Sequence, residues 1–267
     1  MRYKTISKSI KFAMAAGILG IAGQVQAGAI FITGHDSDEH SNFAYMSAGL
    51  DFLNFGTASN AVSRATKTVA VIDTFNSAAT PSDYITTSFS ADAAGILAAL
   101  TGGFHTVFIN SGNNSSAQAA LVAASGLFTT YFNAGGSLYI NTDEGFGQSW
   151  YDFVPNFGTA VNNSISTSGV FAPTAAGLAI GLTDAIVDSD ITHSFFTGVD
   201  TSLFTVFEVT DGLAGVADGT AVAFGARDIT IGGGGFNPNP NPVPEPTNLS
   251  LLALGLGFLG WKRLRKT

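Results

Sequence analysis

The stretch from Phe104 to Asp152 constrains this chain more than any other. Thr106-Val-Phe-Ile-Asn110 is a β-branched and aromatic run that reads as a buried strand. The polar turn Ser111-Gly-Asn-Asn-Ser115 follows and ends in good helix N-cap residues. Gln118 to Ala134 carries apolar side chains at helical spacing (Leu121, Val122, Leu127, Phe128, Tyr131, Phe132), and Gly135-Gly136 stops it. Ser137-Leu-Tyr-Ile-Asn141 is a second buried strand. Strand, helix and strand joined this tightly predict a right-handed parallel crossover. Both strands finish in polar residues, Asn110-Ser111 and Asn141-Thr142-Asp143-Glu144. Any ligand site is expected at that edge of the sheet.

The chain before this unit follows the same rhythm. Gly28-Ala-Ile-Phe-Ile-Thr33 is a strand running into Gly34-His35-Asp36-Ser37-Asp38-Glu39-His40, and helical spacing resumes from Phe43 to near Gly56. Thr68-Val-Ala-Val-Ile72 is a strand closed by Asp73; a polar loop continues through Pro81, and Ser90 is a plausible N-cap for a helix over Asp92–Leu100. This alternation predicts an α/β domain over residues 28–231 with an open, doubly wound, mainly parallel sheet. Beyond Asp152 the pattern loosens. Ile165–Phe171 and Leu203–Val209 read as strands, while Val222–Ala226 and Ile229–Ile231 are expected to pair about Arg227-Asp228. We read this part as a continuation of the same domain.

Charge divides the chain sharply. Between Gly28 and Pro242 only Arg64, Lys67 and Arg227 are basic, against 18 acids, a net of −15. Such a body repels phosphate backbones, so nucleic acid is not an expected partner. The chain has no cysteine, which excludes disulfides, thiolate chemistry and thiolate metal sites. No cofactor is expected.

Both ends read as addresses rather than fold. In residues 1–27, Arg2, Lys4, Lys8 and Lys11 precede the apolar run Phe12–Ala22, and Val25-Gln26-Ala27 supplies small residues for cleavage before Gly28. That is a signal peptide, implying Sec-type export. Residues 232–242 form a glycine and Asn-Pro linker, a semi-rigid stalk. In residues 243–267, Pro244-Glu245-Pro246 is followed by the apolar run Leu249–Trp261 and the basic end Lys262-Arg-Leu-Arg-Lys266. This resembles the PEP-CTERM sorting signal. The resemblance implies recognition by an exosortase, removal of the tail, and delivery to the envelope or extracellular matrix of a Gram-negative bacterium, often beside exopolysaccharide. About 13 apolar residues fall short of the roughly 20 that span a bilayer stably, so the expected membrane association is transient.

The residues that could carry chemistry sit at the strand ends, where ligands bind in open parallel sheets. They are Gly34, His35 and Asp36, then Asn110 and Ser111, then Asn141, Asp143 and Glu144. His35 and His40, with carboxylates between them, are candidate metal ligands. Acidic residues ahead of a helix are equally ordinary dipole partners. His193, in a loop-like stretch, is a further candidate ligand-binding residue, while His105 falls at the opposite edge, where a structural role is expected.

Several segments together resemble the class I glutamine amidotransferase-like superfamily, and within it the trehalose-utilisation (ThuA-like) proteins. They are the strand into Gly34-His35-Asp36 with His40 nearby, the block from Val107-Phe-Ile-Asn110 through Ala134-Gly-Gly-Ser-Leu138, and His193–Val199. The resemblance implies a flavodoxin-like three-layer fold with its site at the strand ends. Amidotransferase activity does not follow, because it needs a cysteine nucleophile. The corresponding strand end reads Asn141-Thr142-Asp143-Glu144, and no Gly-x-Ser-x-Gly elbow is present for Thr142 or a nearby serine. The expected function is therefore an exported surface or matrix protein whose domain serves binding or structure. The alternative is a sugar-processing hydrolase or isomerase using His35, Asp36 and Glu144. A metal-dependent site around His35 and His40 is a third reading.

Overall fold

The computed structural model describes residues 27–74, 80–110, 115–142, 151, 153–154, 158–162, 169–190, 192–232 and 235–237. The leader, the sorting tail, Ser111, Asp143 and Glu144 lie outside the described residues. Ala27–Asn239 form one compact unit.

Six strands and helices open the first half. They are β1 (Gly28–Thr33), α1 (Phe43–Phe55), the short α2 (Ala61–Arg64), β2 (Thr68–Asp73), β3 (Ile85–Ser90) and α3 (Ala93–Thr101). Next come β4 (Thr106–Ile109), α4 (Ser115–Ala123), α5 (Ser125–Asn133) and β5 (Ser137–Asn141). The second half holds β6 (Thr159–Asn162), β7 (Phe171–Pro173), α6 (Ala175–Ala179), α7 (Asp184–Val187), β8 (Ser194–Thr197), β9 (Thr205–Thr210), β10 (Ala221–Gly232) and β11 (Gly235–Asn237).

The strands join in the order β3-β2-β4-β5-β1-β10-β8-β6, with β9 and β11 pairing on β10 and β7 on β9. Every pairing from β3 to β1 is parallel, and every pairing beyond β1 is antiparallel. The sheet is therefore mixed, with β1 at the seam. In a flavodoxin-like order the first strand neighbours the second; here β5 and β4 stand between β1 and β2.

Period-2 alternation sends side chains to two separate cores. Ile30, Ile32, Val107, Ile109, Leu138 and Ile140 pack with residues of α3, α4 and α5. Phe31, Val69, Val71, Phe108 and Tyr139 pack with α1. Phe31 is the hub of that second core, with its ring centroid 5.0 Å from Tyr139, 5.6 Å from Phe207, 6.3 Å from Phe52 and 6.5 Å from Tyr45. Each such pair adds about 0.5–1.5 kcal/mol beyond simple burial. Gly49 lets α1 approach this closely, since a Cβ there would stand 2.4 Å from the Tyr139 ring. The chain leaves β1 across one face and β4 across the other, as right-handed crossovers in opposite directions require.

Five elements differ from the sequence reading, one being β11, which lies in the stretch read as linker and pairs antiparallel with β10. β3 lies between the expected loop and the expected helix, in residues assigned to no element, because this exposed edge strand carries no apolar alternation. Asp92, not Ser90, caps α3, accepting from the N–H groups of Ala94 (3.0 Å) and Gly95 (2.8 Å). The helix expected over Gln118–Ala134 starts at Ser115 and is interrupted at Ala124, just ahead of Ser125-Gly126. Val222–Ala226 and Ile229–Ile231 are not a hairpin but one twelve-residue strand, β10. Asp228 takes a left-handed φ of 57°, and the register against β1 shifts nearby, so Arg227-Asp228 forms a bulge. Arg227 uses it to reach the C-terminal carbonyls of α1, donating through Nη1 to Phe52 and Leu53.

Candidate functional site

The loop after β1 is strapped to the segment before β8 by backbone. Gly34 N–H donates to Val222 O (2.9 Å), while Gly34 O accepts from the N–H groups of His193 (3.0 Å) and Ser194 (3.3 Å). Only glycine fits there, because a Cβ would stand 1.7 Å from the Ser194 carbonyl oxygen. This close approach sets residues 35–36 beside 192–193, which the sequence holds more than 150 positions apart.

Two layers of polar side chains result. The inner one is sealed. His35 is fully buried; its Nε2 lies 2.6 Å from Glu208 Oε1, and its Nδ1 lies 2.8 Å from Thr192 Oγ1. Tyr45 donates to Glu208 Oε2 at 2.5 Å and lies 2.8 Å from Thr33 Oγ1. Ser37 donates to Asp190 Oδ2 at 2.5 Å, and Asn141 Nδ2 donates to Asp38 Oδ1 at 2.5 Å. Burial, and then the charge of Glu208, push the Tyr45 phenol well above its ordinary value. The phenol stays protonated and donating.

The outer layer reaches solvent. Residues 36–40 make one tight turn, with Glu39 N–H and His40 N–H both donating to Asp36 O (2.8 and 3.3 Å). The i,i+4 spacing returns the His40 ring over the Asp36 carboxylate. His40 Nε2 is 3.0 Å, and His193 Nε2 2.9 Å, from the same Asp36 Oδ2. Side-chain exposure rises from 3% at Asp36 to 15% at His193 and 40% at His40. Asp36 Oδ1 is buried and accepts no hydrogen bond from the described residues.

Three of the chain's four histidines thus meet at one edge with four buried acids, Asp36, Asp38, Asp190 and Glu208. The body's cations are engaged elsewhere: Arg64 with Asp51 and Asp83, Lys67 over the Phe55 ring, and Arg227 at the end of α1. No described Lys or Arg side chain is therefore paired with this edge. Burial, followed by Asp190, Asp38 and Glu208, pushes the Tyr139 phenol far up.

The other expected residues take separate places. Asn110 is buried and closes a strand-end turn, accepting from Thr74 N–H (2.7 Å) and donating to Asp73 (3.2 Å). Thr142 is buried and donates to Thr33 O at 2.9 Å, so its hydroxyl is a strand-end tie. His35 and His40 do not form the expected pair, because the His35 ring turns inward to Glu208 while His40 joins Asp36 and His193. His105 lies at the opposite edge with Nδ1 2.9 Å from Thr68 Oγ1. Sequence reasoning missed Glu208, Asp190, Thr192 and Tyr45. Glu208 was the most legible, a lone acid inside Thr205-Val-Phe-Glu-Val-Thr210. A cleft of about 510 Å³ lined by Phe43, Arg64, Pro81, Asp83 and Ile186 shares no lining residue with this cluster.

No family model, no curated protein and no solved structure matches this chain.

Proposed function

We propose that this chain is an exported envelope protein, processed at its tail by an exosortase, whose α/β body is a binding module with its site at the carboxyl edge of β1. The observation that carries the binding reading is the division between a sealed inner layer and an open outer one. His35, the imidazole expected to do acid–base work, is fully buried against Glu208 and Thr192. Acid–base work would need a substrate proton within hydrogen-bonding reach of a ring that is sealed from solvent. His40 and His193 stand at the mouth, where a ligand can touch them. A body this acidic favours neutral, oxygen-rich partners such as the hydroxyls of an exopolysaccharide over polyanions. The leader and the three-part tail support the address. The Gly34-His35-Asp36 segment and the strand-end cluster support a remote relationship to the class I glutamine amidotransferase-like proteins, while the strand order, with β5 and β4 between β1 and β2, speaks against it.

Two measurements test this. Expression with and without an exosortase, followed by mass spectrometry, is expected to show loss of Trp261–Thr267 only when the enzyme is present; retention in both hosts refutes the sorting reading. A panel of neutral and acidic oligosaccharides is expected to give binding without turnover, weakened in His193→Ala. Turnover by the parent establishes the sugar-processing alternative instead. Absence of both binding and turnover removes the ligand site.

A further inference from the structure

We infer that Asp36, His40 and His193 bind a divalent first-row transition ion through Asp36 Oδ2 and the two imidazole Nε2 atoms. This rests on the reading of this edge as a binding site and supplies its chemistry. The three donor atoms lie within 4.8 Å of one another. Each is delivered by fixed backbone, Asp36 and His40 by one hydrogen-bonded turn and His193 by its N–H to Gly34 O.

Two further observations point to a cation. Asp36 is 3% exposed, and its Oδ1 has no hydrogen-bond donor among the described residues, which is expensive unless something positive stands nearby. Asp38, Asp190 and Glu208 are buried at the same edge, and each described Lys and Arg side chain is engaged away from it. A dication held by Asp36 compensates such a field.

The donor set selects the ion. Two imidazoles and one carboxylate suit Zn²⁺, Fe²⁺ or Co²⁺, whereas Ca²⁺ and Mg²⁺ take mostly oxygen ligands. Ligands at about 2.0–2.1 Å around a tetrahedral ion stand roughly 3.3 Å apart. The present 2.9 and 3.0 Å separations therefore need to open by only a few tenths of an ångström. Ligation through Nε2 requires each imidazole to carry its proton on Nδ1, any proton on Nε2 being released to solvent. His40 leaves the outward side accessible, so the ion keeps an open position for a water or a ligand oxygen.

The test uses the full-length chain, free of any added polyhistidine, stripped with chelator and titrated with Zn²⁺ against a chromophoric competitor. One tight equivalent is expected, with Co²⁺ giving the visible d–d absorption of a low-coordinate site. His40→Ala and His193→Ala should each weaken Zn²⁺ by more than the roughly 10- to 100-fold that loss of an outer-shell partner typically produces. His105→Ala, at the far edge, should bind as the parent does. His40 is exposed, so its variant folds and decides the matter even if Asp36→Asn does not. No uptake, uptake unchanged in both histidine variants, or displacement of Zn²⁺ by equimolar Ca²⁺ overturns the inference. If oligosaccharide binding persists in chelator while Zn²⁺ is not taken up, the metal fails and the binding module stands.

Discussion

Two buried carboxylates in this molecule are treated in opposite ways. Asp51, on α1, is matched by a permanent charge: Arg64 approaches it through Nε at 2.9 Å and Nη2 at 2.6 Å. Tyr84 donates to it at 2.6 Å and Ser59 N–H at 2.7 Å, so both oxygens are doubly satisfied. Asp36, on the β1–α1 loop, has only imidazoles beside one oxygen, and the other has no described donor. A carboxylate locked by a guanidinium fork is structural, because arginine does not release its charge. A carboxylate held by histidines can exchange those protons for a metal or a ligand group. The contrast separates what holds this fold together from what it offers to solvent.

The largest test of that contrast is Asp51→Ala. It leaves the partly exposed Arg64 guanidinium with Asp83 alone and strips the Tyr84 hydroxyl of its acceptor, and breaking a buried pair from one side costs up to about 3–5 kcal/mol. Denaturant midpoints should fall accordingly, and an unchanged midpoint would remove Asp51 from its structural role.

Tyr84→Phe probes the same cluster more gently and adds a pH signature. Its bond to a charged acceptor is worth about 1.5–3 kcal/mol at neutral pH. Burial, then Asp51, push the Tyr84 phenol above its ordinary 10.0. The folded state therefore keeps a proton that the unfolded chain releases, and the contribution is full below 10.0 and is lost as pH rises beyond it. Parent and variant stabilities should converge in alkali. Tyr45, Tyr131 and Tyr139 are shifted the same way, so both proteins should also lose stability there. A pH-independent gap would contradict the assignment.

The smallest effect belongs to the open cluster. His40→Ala should change stability by no more than about 0.5 kcal/mol, since the residue is exposed and its contact is with solvent on one side. A loss approaching that of Asp51→Ala would mean that the outer cluster is structural after all and would erase the contrast.

How much of this was legible depends on distance along the chain. Phe104 to Asn141 announced its two strands, because β-branched and aromatic runs bounded by turns fix such elements locally. β3 was invisible because an exposed edge strand needs no apolar period, only the partner that β2 supplies. The bulge in β10 was misread as a turn because Arg227-Asp228 has turn-like chemistry, yet β1 holds the chain straight across it.

The site shows the same division. The amino-acid sequence alone determined the alternation of strand and helix, the acidic body, the absence of thiol chemistry, and the gathering of polar residues at strand ends. Those properties follow from composition and short-range periodicity, which local backbone preferences read directly. It also put His35, Asp36 and His40 within one short loop, but not which of them face one another. Tertiary structure decided that His35 turns inward to Glu208 while Asp36 meets His40 and His193. The physical reason is Gly34: with no side chain, it lets two distant segments exchange backbone hydrogen bonds at contact distance, and that approach sorts the histidines into a sealed one and two open ones.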